Sequence, residues 1–164
     1  MSDKLTTKSQ EAVAAALQDA AGRGNPSLEP VHLLAALAQQ DGGVARALLQ
    51  AVEASPADVA SRANAEISRL PGASGSSVSQ PQASRPMLSA IQAAGEEASA
   101  LGDDYVSTEH LLLALAKSSS SAGDILRSVG ATREQIAAVL PTVRGSGKVT
   151  SPDPEGTFQA LEKY

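Results

Sequence analysis

The chain has 164 residues, a net charge of −5 and no cysteine. That excludes disulfides, thiolate metal sites and cysteine nucleophiles, and it argues against a duplex-binding surface, which needs clustered Lys and Arg. The only aromatics are Tyr105, Phe158 and Tyr164, so the apolar content is mostly small aliphatics, a composition that suits close-packed helices better than a sheet.

The N-terminal stretch Met1-Ser2-Asp3-Lys4-Leu5 is polar and lacks a signal-peptide core. No apolar run approaches the roughly 18 residues that a membrane span needs. A cytoplasmic chain with no membrane segment is expected. The first helix starts near Thr6 and stops near Gly22 to Gly24, with Ser9, Val13, Ala16, Leu17 and Ala20 on one face. Pro30 suits the first position of a second helix, where its missing N–H costs nothing; that helix carries Val31, Leu33, Leu34 and Leu37 and stops near Asp41-Gly42-Gly43. A short third helix holds Val44, Leu48, Leu49 and Val52. Ser55-Pro56-Ala57-Asp58 opens a fourth with a cap, a first-turn proline and a carboxylate at the positive helix end.

Residues 71–86 are rich in Ser, Gly, Gln and Pro without a period, and read as a linker. Helical spacing resumes with Met87, Leu88, Ile91, Ala94, Ala98 and Leu101 and breaks at Gly102-Asp103-Asp104. Ser107 caps a helix with Leu111, Leu112 and Leu115, and a short helix follows with Ile125 and Leu126. Thr132-Arg133-Glu134-Gln135 reads as a capping box opening the last helix, with Ile136, Val139, Leu140 and Val143. From Arg144 to Glu155 Gly, Ser and Pro return, and Phe158 to Tyr164 form a final turn. The expected division is therefore a first repeat over 1–70, a linker over 71–86, a second repeat over 87–143 and a second linker over 144–164.

The two halves are copies. Glu29-Pro30-Val31-His32-Leu33-Leu34 lies 78 residues before Ser107-Thr108-Glu109-His110-Leu111-Leu112. Each is preceded by Gly (Gly24, Gly102), by a residue tolerant of tight turns (Asn25, Asp103) and by an apolar residue before the cap (Leu28, Val106). A one-residue shift then aligns Leu48-Leu49 with Ile125-Leu126. The fold predicted is all-α: two four-helix repeats, about eight helices, related by a pseudo-twofold axis.

Candidate chemistry is sparse. Gly145-Ser146-Gly147-Lys148-Val149-Thr150 imitates a phosphate loop, but Thr142 stands where the leading Gly is needed and Val149 where Ser or Thr is needed. His32 and His110 share one repeat position, and Ala36 and Ala114 stand where an i+4 metal partner would be; hydrogen bonding to the preceding loop or helix end is the expected role. No catalytic residue and no metal ligand is assigned. Glu96, Glu97, Asp103, Asp104 and Glu109 lie in a stretch without Lys or Arg, which composition alone leaves open between a solvated surface and a binding site.

The pair EPVHLLAALAQQDGG and GDDYVSTEHLLLALA, closed by GATREQIAAVL, resembles the Clp N-terminal repeat domain of Clp-family unfoldases, and the tail from Val149 to Tyr164 resembles the ClpB-type branch. The resemblance implies a substrate-recruiting domain of an ATP-dependent disaggregase that is not itself an enzyme. It implies no cofactor in this domain, with ATP and Mg confined to ATPase modules elsewhere in the parent. It implies unfolded or aggregated client proteins as partners, with a cooperating chaperone system, no nucleic acid and no membrane. An isolated domain would be monomeric and the parent hexameric. By residue it assigns client binding to Thr6, Asp103 and Glu109, and it makes Leu88 and Ile91 candidates for an apolar groove between the copies. Bulky residues frequent in ClpB relatives are replaced here by Ala93, Glu97 and His110, which implies a shallower or more polar groove. The alternative is an adaptor-docking domain of the ClpA and ClpC type.

Overall fold

The computed structural model describes residues 4–72 and 80–145. Eight helices form among them: α1 (Thr7–Gly22), α2 (Pro30–Gln39), α3 (Ala45–Ala51), α4 (Pro56–Ile67), α5 (Arg85–Ala100), α6 (Thr108–Lys117), α7 (Ser121–Ser128) and α8 (Arg133–Arg144). Their starts follow from local chemistry. Thr6, Ser55, Ser84 and Thr132 each accept the N–H three residues on, satisfying a donor that has no partner inside the helix.

Helices α2 and α6 are buried along nearly their whole length, as expected of helices that are apolar all round. They touch each other at the centre. Around them α1 and α4 flank α2, while α5, α7 and α8 flank α6. Across the seam α3 packs on α8 and α4 on α7, the same contact made twice. The inner face of α1 is Ser9, Ala12, Ala16 and Ala20, with Val13 and Leu17 only half-buried.

The pseudo-twofold is written in backbone hydrogen bonds. Thr6 N–H donates to the Val106 carbonyl at 3.0 Å, and Ser84 N–H to the Leu28 carbonyl at 3.1 Å. These are the same bond displaced by one repeat. Each copy thus lends the strand before its first helix to the loop before the other copy's second helix. On one side this is a parallel pair, β1 (Ser27–Leu28) with β2 (Gln82–Ala83), and on the other a single bridge, Leu5 with Val106.

Two boundaries differ from expectation. The linker expected over 71–86 ends early, because Gln82–Ala83 is strand and Ser84 caps a helix that begins at Arg85. A two-residue strand is too short to show a period, and a proline in the first helical turn reads locally as loop. Arg144, expected to open the second linker, is the last residue of α8. The rest of that linker, the phosphate-loop imitation past Gly145 and the turn from Phe158 to Tyr164 lie outside the described residues.

Candidate functional site

Helices α1 and α5 end alike. In each, the Gly after the helix takes a left-handed conformation (Gly24 φ 73°, Gly102 φ 75°), and the next N–H returns to the helix: Asn25 to the Ala20 carbonyl, Asp103 to the Ala98 carbonyl, both at 2.9 Å. This double closure satisfies carbonyls that lack helical partners. It also aims the Asn25 and Asp103 side chains at the start of the following helix, where the histidines wait.

Each histidine is the third residue of its helix and completes a capping box in the place usual for Glu or Gln. His32 Nδ1 accepts the Glu29 N–H at 2.9 Å, and His110 Nδ1 accepts the Ser107 N–H at 2.8 Å. Nε2 is left to donate, to Asn25 Oδ1 at 2.9 Å and to Asp103 Oδ2 at 2.7 Å. Both nitrogens of both rings are engaged within the protein. Burial is the chief cause that pulls the His32 pKa below the usual histidine value, against the opposing pull of Asp19 and Glu29.

The copies diverge in what surrounds this unit. In the second copy Asp103 Oδ1 also accepts Arg144 Nη2 at 2.5 Å, and Arg144 Nη1 donates to Glu109 Oε2 at 3.1 Å. The Asp103 and Glu109 side chains are 0% and 3% exposed and that of Arg144 12%. Burial alone would lower the Arg144 pKa, but the hydrogen bond to Asp103 and the charges of Glu109 and Asp103 raise it above its ordinary value. Nearby, Glu97 receives Arg133 at 2.7 and 3.1 Å and Lys117 at 3.4 Å. The hydrogen bond from Arg133 is the main reason its carboxyl sits below the usual range. The acidic stretch is therefore not uniformly a solvated surface: Glu96 and Asp104 are exposed, whereas Glu97, Asp103 and Glu109 are buried and paired.

Of the five candidate residues, the structure gathers three. Thr6 is fully buried; its hydroxyl donates to Ser9 Oγ at 3.1 Å, and Ser9 Oγ donates to the Val106 carbonyl at 2.9 Å. Val106 stands midway in sequence between Asp103 and Glu109, so all three sit at one end of α5. Leu88 lies toward the other end, about 20 Å away by helical rise, and is 61% exposed. Ile91 is half-buried against the core. Two clefts at equivalent places, of about 510 Å³ between α1 and α2 and about 450 Å³ between α5 and α6, are lined by none of the five. The second has a floor of Ala90, Ala93 and Ala114 beneath Arg85 and Lys117, and neither Leu88 nor Ile91 lines it. Sequence reasoning missed Arg144 and Arg133. A signal existed for Arg144, which falls four residues after Leu140 and eight after Ile136, on the inward stripe of α8.

The model of the Clp repeat (R) N-terminal domain matches residues 4–129. The chain belongs to this family. It is 48% identical over 159 residues to the chaperone protein ClpB of Corynebacterium glutamicum, a match that covers 97% of this chain and 19% of that protein. The chain thus spans about a fifth of the length of the curated ClpB relatives it matches. Among solved structures, the Hsp104 N-terminal domain from Candida albicans superposes with a TM-score of 0.78 at 22% identity, covering 93% of this chain and 99% of that one. A ClpV N-domain in complex with a VipB peptide superposes with a TM-score of 0.65 at 18% identity, covering 84% and 85%. These two likenesses concern the Clp N-domain fold.

Proposed function

We propose that the chain is the client-recruiting N-domain of a cytoplasmic ClpB-type disaggregase, holding exposed segments of unfolded proteins for a hexameric ATPase elsewhere in the parent. The observation that carries this reading is the identity to ClpB across nearly the whole chain. The fold's appearance in a ClpV N-domain bound to a peptide agrees with it. Clients lie along α5, with Leu88 and Ile91 as apolar contacts at one end and the Thr6, Asp103 and Glu109 joint at the other. An extended segment of about six residues spans the gap of about 20 Å between them. The domain itself binds without catalysing; ATP and Mg act in the ATPase modules.

Titration with a permanently unfolded client such as casein tests the reading. Thr6→Ala, Asp103→Asn, Glu109→Gln and Leu88→Ser variants, each with an unchanged melt, are expected to weaken binding. Equal binding by all four removes the site, and binding confined to one folded partner favours adaptor docking instead.

A further inference from the structure

The charged trio Asp103, Glu109 and Arg144 has a neutral counterpart in the first copy. The first copy builds the same architecture with Asn25, Val31 and Ile67 at the equivalent places, and all three are buried there. Asn25 takes the histidine bond that Asp103 takes. Burying three charges where neutral groups suffice is a cost that stability does not explain.

The trio also leaves one carboxylate oxygen unused. Glu109 Oε1 is buried and has no hydrogen-bond partner among the described residues, so the carboxylate pair keeps an acceptor that Arg144 does not fill. Arg144 reaches in from the last turn of α8. Pro141 has no N–H, so that turn lacks one of its bonds to the preceding one, and Gly145, at φ 84°, ends the helix with its N–H on the Pro141 carbonyl at 2.8 Å. The Arg144 guanidinium stands between two buried carboxylates and solvent, in a turn that lacks one helical hydrogen bond.

We propose that Arg144 is a built-in plug, occupying the Asp103–Glu109 pair as an arginine of a client segment would, so that the pair takes a client's guanidinium only when the last turn of α8 withdraws. This rests on the client-binding reading and adds its regulation. Two fixed carboxylates with a spare buried oxygen match a planar five-donor guanidinium better than an ammonium.

The test uses the 164-residue chain with two peptides that differ only in one arginine against citrulline, which is the same length but uncharged. The Arg144→Ala variant is expected to bind the arginine peptide about tenfold more tightly than the natural chain does, with little gain for citrulline. Ethylguanidinium should raise its melting temperature saturably while leaving the natural chain unaffected. The first-copy mimic, Asp103→Asn with Glu109→Val and Arg144→Ile, should fold and discriminate between the peptides no longer. If Arg144→Ala does not fold even with ethylguanidinium, Arg144→Lys decides, with a gain of a few fold expected. Equal affinity for the two peptides, or no gain over the natural chain, overturns the plug. Casein titration of Asp103→Asn and Glu109→Gln separates the two ideas: weakened casein binding without an Arg144 effect leaves the site and removes only the plug, and the opposite pattern removes the client site.

Discussion

Glu53 carries a backbone conformation that its side chain resists. It sits at φ 64°, the described non-glycine residue in the left-handed region, with its N–H bonded to the Gln50 carbonyl and the following Ala54 N–H to the Leu49 carbonyl. The second copy makes the same closure through Gly130, at φ 81°. A side chain there costs about 1 kcal/mol, partly offset because glycine also loosens the unfolded chain. Glu53→Gly is therefore expected to stabilise by some tenths of a kcal/mol up to about 1, read as a higher urea midpoint with unchanged slope. A lower midpoint refutes it. Glu97 gives a second residue-scale prediction. Its carboxyl is held below the unfolded value of about 4.3, so its contribution is present above that pH and is lost as pH falls through the lower native value. Glu97→Gln is expected to cost about 1 kcal/mol at pH 7, a modest figure because Arg133 and Lys117 are well exposed. Near pH 2 the variant and the natural chain should melt together; a gap that persists there contradicts the assignment.

Among the elements, what was legible depended on how far the decisive contact lay along the chain. The caps at Ser55 and Thr132 and the first-turn Pro30 are satisfied within a few residues, and the structure has them where the sequence placed them. The 78-residue repeat was legible because α2 and α6, two long apolar helices, keep the same pattern. The short strand pair β1–β2 carried no such pattern. The cations facing the acidic stretch were invisible to a local charge count because Arg133 and Arg144 lie 36 and 35 residues beyond Glu97 and Glu109. Helix α7 shows how tightly these elements fit. A Cβ on Gly123 would meet the Ser118 carbonyl at 2.1 Å and the Leu115 carbonyl at 3.0 Å, both of them backbone that cannot rotate aside. Gly123→Ala must lift α7 from the end of α6, at a cost of about 3 kcal/mol. A urea midpoint within error of the natural chain would show that the corner yields.

At the scale of the whole molecule, the duplication yields one cooperative body in spite of its two copies. Each copy's first helix is preceded by a segment bonded to the other copy's loop, through Thr6 with Val106 and Ser84 with Leu28. Helices α3 and α4 both pack across the seam, α3 on α8 and α6 and α4 on α7. A half separated from its twin would expose Val44, Leu48 and Val59, all buried in the intact chain, and would leave its strand without a mate. Lone halves of about 70 residues are already marginal in the surface they bury. Residues 1–72 expressed alone are expected to lack a cooperative melt, and mixing them with residues 73–164 should restore helicity and a single transition. The full chain should unfold with calorimetric and van't Hoff enthalpies in agreement. A first half that melts sharply by itself, at the midpoint of the intact chain, would mean that the reciprocal strands are decoration and that the joint at Asp103 and Glu109 is built by the second copy alone.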